Sequence, residues 1–229
     1  MRTSRELTAL LPTLNAAEGL GGTLAALRGQ VAAILVADGG STDGTIAVAE
    51  AAGAQVIAAP RGRGNQLSAG AVAVHTPWVL VLHADTRPGT GWQAAAEAFM
   101  GDPANASRAA YFRFALDDPS PQARRLERAV AWRCRALALP YGDQGLLIPR
   151  TLLDAVGGYR PTPIMEDVDL VRRIGRDRLV GLSVPFITSA ARWRAEGWWR
   201  RSARNLACLS LWFVGVPPER IARLYARRR

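Results

Sequence analysis

Trp78-Val79-Leu80-Val81-Leu82-His83-Ala84-Asp85-Thr86 is an apolar run that stops abruptly at a carboxylate. A continuous aliphatic and β-branched run with no alternation predicts a central parallel strand covered on both faces. Asp85 would then stand at the carboxyl end of that strand, where open α/β sheets bind ligands. On this stretch alone a plainer reading is favoured, in which Asp85 caps the turn into Pro88-Gly89.

Upstream, strand-like and helix-like stretches alternate with short turns. Leu7 to Leu14, Ala33 to Ala37 and Ala54 to Ala58 are apolar runs. Between and after them, Ala17 to Arg28 carries Leu20, Leu24 and Leu27 at helical spacing. Gly44 to Ala52 is alanine-rich, and Gly64 to Val74 sets Leu67, Ala71 and Val74 on one face. A helix over Trp92 to Met100 is expected after the Asp85 strand. The alternation predicts βαβ units, hence an α/β fold with a mostly parallel central sheet flanked by helices. Beyond Gly101-Asp102-Pro103 the regularity weakens. Expected there are a half-exposed strand over Ala110 to Leu116, an arginine-rich amphipathic helix over Arg124 to Leu139, and short strands at Gly145 to Ile148 and Leu179 to Val184. A helix is expected over Met165 to Ile174, and two more close the chain at Trp198 to Val214 and Pro218 to Arg227.

A chain of 229 residues, 49% hydrophobic, can bury one sizeable core, so a single domain over residues 1–229 is expected. Residues 8–100 would form a nucleotide-binding half and residues 101–229 an acceptor-side half. No stretch has the ~20 uninterrupted apolar residues of a membrane span, and the N-terminus lacks a secretory pattern. The expected location is the cytoplasm. Cys134 and Cys208 match no metal or redox spacing and read as buried thiols. The formal charge of +10 is carried by arginine, since lysine is absent. From Arg192 to Arg229 ten arginines face only Glu196 and Glu219. That excess calls for an anionic partner or membrane surface; codon bias explains the missing lysine but not the clustering. The run Trp198-Trp199-Arg200-Arg201, then Leu206, Leu209, Leu211, Trp212 and Phe213, mixes residue types as interfacial helices do. Core packing is preferred for its leucines. Its arginine face is left open to peripheral contact with the inner face of a membrane, and a homodimer contact is a further alternative.

Three loops carry chemistry. Asp38-Gly39-Gly40-Ser41-Thr42-Asp43-Gly44-Thr45 follows the second strand and opens a helix, with Asp38 able to accept hydrogen bonds from a base or ribose. Pro12-Thr13-Leu14-Asn15 ends the first strand, and Glu18 lies where a helix-capping partner of Asn15 would. Arg61-Gly62-Arg63-Gly64-Asn65-Gln66 joins cations to glycines at a helix start, an anion site suited to a diphosphate. Each also has a bland reading, as a well-made turn, a cap and a solvated basic loop.

Taken with His83-Ala84-Asp85, Tyr141-Gly142-Asp143-Gln144 and Met165-Glu166-Asp167, these motifs resemble, in order and separation over essentially the whole chain, the inverting family 2 glycosyltransferases of the GT-A (nucleotide-diphospho-sugar transferase) fold. The nearest likeness is to the short bacterial branch called radical-SAM/selenodomain-associated transferases. The resemblance implies a hexosyltransferase-type enzyme that moves a sugar from a nucleotide-diphosphate donor to an unknown acceptor. It implies that Pro12, Asn15, Glu18, Asp38, Gly40, Arg61, Arg63, Gln66, Ala84 and Asp85 line the donor. It makes Asp85 the ligand of a divalent Mg or Mn ion, and His83, standing where relatives carry a further carboxylate, a second donor or a neighbour. Asp167 is implied as general base with Glu166 as understudy; apart from the resemblance, the acidic first turn also complements the helix dipole. Gly142, Asp143, Gln144, Arg192 and Trp193 would face the acceptor or the diphosphate, Arg192 and Trp193 having a surface loop as their equal alternative.

Two other classes remain at this point. A basic module binding anionic membrane or nucleic acid explains the arginines but not the carboxylates at strand ends, which repel a polyanion, so nucleic acid is not the expected partner. A nucleotidyltransferase would want a glycine-rich loop and a catalytic cation after the first strand, and Pro12 to Glu18 has neither.

Overall fold

The computed structural model describes residues 3–226. In chain order its elements are α1 (Thr3–Glu6), β1 (Leu7–Thr13), α2 (Ala17–Leu27), β2 (Ala33–Asp38), α3 (Thr45–Ala51), β3 (Gln55–Ala58), α4 (Arg63–Ala73), β4 (Trp78–Val81), β5 (Thr86–Pro88) and α5 (Trp92–Gly101). There follow β6 (Ala109–Leu116), α6 (Pro121–Leu137), β7 (Leu146–Pro149), α7 (Arg150–Ala155), α8 (Glu166–Ile174), β8 (Leu179–Thr188), α9 (Ala191–Glu196), α10 (Trp198–Phe213) and α11 (Pro218–Ala226). The strands form one sheet in the order β3-β2-β1-β4-β7-β6-β8-β5, which takes strands from both halves of the chain.

Four of its seven pairings are parallel. β4 is buried at every position, as its unbroken apolar run requires. Its neighbours are mixed, however: parallel to β1 through Thr8↔Val79 and antiparallel to β7 through Val79↔Ile148. Apolar continuity therefore reports cover on both faces, not strand direction. Alternate residues divide between two cores. Trp78, Leu80 and Leu82 face Leu20 and Leu24 of α2 and Trp92 and Phe99 of α5. Val79 and Val81 face Leu67 of α4, Leu152 of α7 and Leu170 of α8. Each fully buried aliphatic side chain contributes about 1.5–3 kcal/mol before the entropy of ordering is subtracted. Since β2 and β3 lie to one side of β1 and β4 to the other, the loops after β1 and β4 diverge and leave a crevice at the strands' carboxyl ends.

Several expected elements shift. Thr86-Arg87-Pro88, read as a turn, is an edge strand antiparallel to β8 through Thr86↔Thr188. β6 is buried at six of its eight residues, not half-exposed, because β7 and β8 flank it. α6 begins at Pro121, three residues before its expected start. Ser120 Oγ accepts from the Ala123 amide at 3.3 Å, and Pro121 at the first position needs no amide partner. The 191–196 stretch, for which a surface loop was the alternative, is helix α9. Cys134 and Cys208 are free and buried, as expected. Among the described residues no helix is long and apolar enough to cross a membrane.

Candidate active site

The carboxyl ends of β1 and β2 are bound to each other. Asp38 is 3% exposed. One of its oxygens accepts from Thr13 Oγ1 at 2.8 Å and Ser41 Oγ at 2.6 Å, the other from the Gly40 and Ser41 amides at 3.0 and 2.8 Å. Burial works to raise its pKa, but the hydrogen bonds from Ser41, Thr13 and Gly40 prevail and hold it below the usual carboxylate value. Four donors occupy both oxygens, so this carboxylate organises the turn. Asn15 does not cap α2, whose N-cap is Ala16. It takes a left-handed backbone (φ 50°) and accepts the Thr42 amide at 2.9 Å, lashing the β1 loop to the β2 loop. Pro12 is buried beneath, while Glu18 and Gly40 are exposed at the rim. Gln66 is 2% exposed and donates to the carbonyls of Thr13 and Ala37, so it staples β1 to β2 instead of facing the crevice.

Asp85 stands beyond the end of β4, where its backbone carbonyl accepts the Ser189 amide at 3.1 Å. The Ala84 carbonyl beside it accepts Thr23 Oγ1 at 2.8 Å. Among the described residues, nothing bonds to the Asp85 carboxylate. His83 lies against Gly142, where a Cβ would come 2.5 Å from its Nε2; any residue but glycine would displace the imidazole. Burial first, then the positive charges of Arg63 and Arg192, push His83 well below its ordinary pKa and keep it neutral. Asp143 has a buried Oδ1 with no hydrogen-bond partner. Its pKa is pushed up to about 6 by burial, with Arg133 and Arg63 opposing and the charges of Asp167 and Asp85 adding to the rise.

The third component is the start of α8. Met165 takes a left-handed backbone (φ 66°), unusual for a non-glycine residue, immediately before the acidic pair. Glu166 is 1% exposed and accepts Arg63 Nε at 2.6 Å, while its second oxygen has no partner. Burial raises its pKa against the pull of Arg63. Asp167 points the other way: its Oδ2 accepts the Gly142 amide at 3.0 Å, its Oδ1 the Val168 amide at 2.8 Å, and Arg63 lies 3.9 Å off. The loop after β3 therefore does not offer the expected anion cradle at the head of α4. Arg63 is committed to carboxylates, and the Gly64 amide already donates to the Thr162 carbonyl at 3.0 Å. Of the two cations Arg61 is the more exposed.

Against known proteins, the model of Glycosyl transferase family 2 matches residues 8–160. The chain belongs to glycosyl transferase family 2. Uncharacterized glycosyltransferases of Mycobacterium tuberculosis and Mycobacterium bovis are 46% identical to this family 2 chain over 80 residues, 34% of this chain and 36% of each relative. The crystal structure of a mycobacterial protein superimposes with a TM-score of 0.61 at 21% identity, over 80% of this chain and 67% of that one. Glucosyl-3-phosphoglycerate synthase from Mycobacterium tuberculosis, crystallised with Mn2+ and UDP-glucose, does so with a TM-score of 0.58 at 20% identity, over 79% and 70%. At such identities the likeness establishes the fold, a curled α/β sheet of GT-A type with a helical C-terminus.

No three His, Cys, Asp or Glu side chains among the described residues converge into a ready-made metal cluster. A partner-free Asp85, with a neutral imidazole at His83 two positions before it, fits a divalent cation completed mainly by a ligand's own oxygens, and the orphaned oxygen of Asp143 is buried close enough for the Asp85 charge to act on it. Behind them His83, Tyr141, Tyr159, Glu166 and Asp167 line a cavity of ≈ 20 Å³, room for one water. Tyr159 is unforeseen, and Tyr141 is expected only as the first residue of its motif, with no role of its own. Tyr141 carries the Arg133 guanidinium 3.4 Å above its ring, and burial lifts its pKa to about 12. Only its place just before Gly142-Asp143 could have flagged it. Gln144 turns inward: at 2% exposure it accepts Arg133 and Cys134 and donates to the Phe112 carbonyl at 3.1 Å. Trp193 is buried between Phe114 and Trp198, whereas Arg192 is exposed and its charge reaches His83.

Proposed function

We propose that this chain transfers a sugar, with inversion, from a nucleotide-diphosphate donor to an acceptor hydroxyl. Asp167 acts as general base in a single transferase unit whose donor half is residues 8–100 and acceptor half residues 101–229. The observation that carries this is the pairing of two differently prepared carboxylates at one end of the sheet. Asp85 is free to take a ligand, and Asp167 is fixed by the Gly142 and Val168 amides with lone pairs remaining. Glu166, expected as the understudy, is sealed and ion-paired and serves as a support for Arg63.

Asp167 takes the proton of the acceptor hydroxyl as its oxygen attacks the anomeric carbon, and the bond from that carbon to the donor's β-phosphate oxygen breaks. Arg63, 3.9 Å from Asp167, supplies positive charge beside the base, and Arg192, whose charge reaches His83, helps offset the charge of the departing diphosphate. A Mg or Mn ion held by Asp85, with His83 and Asp143 beside it, would offset the diphosphate's negative charge. The Mn2+ and UDP-glucose of the glucosyl-3-phosphoglycerate synthase structure make UDP-glucose the first donor to try. Donor chemistry of this kind fits a cytoplasmic enzyme.

Thermal denaturation with UDP-sugars and GDP-sugars, with and without Mn, tests donor binding; a ligand at 100 times its Kd adds about 2.7 kcal/mol of stability. Asp85→Asn is expected to lose the metal-dependent part of that gain. Asp167→Asn is expected to keep donor binding but lose transfer by at least a hundredfold. Full turnover by Asp167→Asn would remove the assigned base.

A further inference from the structure

Helix α10 is inside out. Its exposed residues include Trp199, Ala203, Leu206, Ser210 and Phe213, with Val214 just past its end. At about 100° per residue they fall in a single arc of roughly 100°. Trp199 is 79% exposed, Leu206 64%, Phe213 46% and Val214 76%. The stripe is roughly 20 Å long, and on it only Ser210 is polar. The arginines that would ordinarily occupy such a face are turned inward. Arg201 is 5% exposed, bonds Glu196 at 2.5 Å and lies 4.7 Å from the Trp193 ring. Arg204 pairs with the same Glu196 and lies 4.9 Å from the Tyr225 ring. A helix that turns two of its three arginines inward and shows Trp199 to solvent leaves a contiguous apolar patch that water does not favour.

The charges around the stripe identify what covers it. Arg200 is exposed beside Trp199. Arg172, exposed on α8, sits 5.1 Å from the Phe213 ring. Arg220 and Arg223 are exposed on α11, where Glu219 is the sole carboxylate of α10 and α11 together. A second copy would set arginine against arginine, with only Glu219 to offset them, on a chain of net charge +10. An anionic bilayer satisfies both features: the stripe enters the boundary between headgroups and acyl chains, tryptophan sits at that boundary, and the arginines meet lipid phosphates. We propose that α10, flanked by α11 and the C-terminal end of α8, docks this chain on an anionic lipid bilayer, with α10 lying parallel to the surface. Because α8 carries Asp167 in its first turn and Arg172 near its other end, docking also sets that carboxylate roughly 8 Å along the helix axis from the lipid contact at Arg172. Nothing in the docking depends on which donor or acceptor the crevice takes.

Co-sedimentation of the full chain with vesicles tests it, using phosphatidylcholine alone and phosphatidylcholine with 30% phosphatidylglycerol. Wild type is expected to bind the phosphatidylglycerol vesicles at least tenfold more tightly than the neutral ones. Trp199→Ser/Leu206→Ser/Phe213→Ser should lose at least tenfold, with an unchanged melting temperature because all three side chains are exposed. Should that variant not fold, Leu206→Ser alone must weaken binding measurably. Arg200→Glu/Arg223→Glu should lose binding to anionic vesicles. Failure of folded wild type to bind either vesicle overturns the proposal, as does undiminished binding by the apolar variants, which would reduce the contact to charge alone. A wild-type dimer in sedimentation equilibrium that the triple variant makes monomeric, without vesicle binding, would assign the face to a second copy.

Discussion

Replacing Arg63 by glutamine isolates the ion pair on which the acidic end of α8 rests. Glu166 is 1% exposed, Arg63 Nε is its cation at 2.6 Å, and its other oxygen has no partner. Removing one partner from a buried pair ordinarily costs about 3–5 kcal/mol, because a charge remains without compensation. The Arg63 side chain is 39% exposed, however, so water already screens part of the interaction. A loss of about 2 kcal/mol is expected, which at about 2–4 °C per kcal/mol for a chain of this size lowers Tm by roughly 4–8 °C near pH 8. The pH dependence follows from the direction of the Glu166 shift. Its folded pKa is raised by burial, so its contribution to stability is fully present below the ordinary glutamate value and lost as pH rises through the folded value. Without Arg63, which pulls that pKa down, the loss deepens and extends to higher pH. The Tm gap between wild type and Arg63→Gln should therefore be small near pH 5 and widen toward pH 8. Arg63→Gln/Glu166→Gln, which removes the buried charge as well, should recover most of it. A gap that is absent, or equal at both pH values, would refute the reasoning.

Gly64→Ala should lower stability by about 1–3 kcal/mol, since its Cβ would fall 2.4 Å from the Thr162 carbonyl oxygen and 2.5 Å from that of Arg160, both backbone. Limited proteolysis should then cut faster within residues 160–163; an unchanged melting curve and cleavage rate would show that this contact gives way without cost. In metal-free protein, Asp143→Asn should gain in Tm on wild type as pH rises. A carboxyl whose folded pKa is raised to about 6 contributes its stability fully below the ordinary aspartate value and loses it through pH 6. A Tm difference that does not change between pH 5 and pH 8 would contradict that.

What the sequence made legible were strand ends, and what it hid were contacts between distant loops. Asp38 and Asp85 could be placed because each follows an apolar run and precedes a turn, a pattern local to a few residues. The role of Asp38 could not be read, since Ser41 is nearby but Thr13 comes from another strand, and together they occupy the oxygens a ribose would need. Arg63 looked like a phosphate ligand for the same reason: its carboxylate partner lies 103 residues on. Gln66 and Gln144 mislead by type, because glutamine reads as exposed until three-dimensional neighbours supply carbonyls and donors inside the fold. Helix α10 is the sharpest case. Two stripes recur at helical spacing, one through Trp199, Leu206 and Phe213, the other through Arg201, Cys208 and Trp212. Polarity assigns the first to the core and the arginine to water. Packing decides the opposite, because Glu196, Trp193 and Tyr225 together form a site for Arg201 and Arg204, while Cys208 and Leu209 meet Val168 and Val171 of α8. Once those arginines are satisfied inside, the aromatic stripe has only the surface left to it, so the outward face of α10 follows from its inward ion pairs.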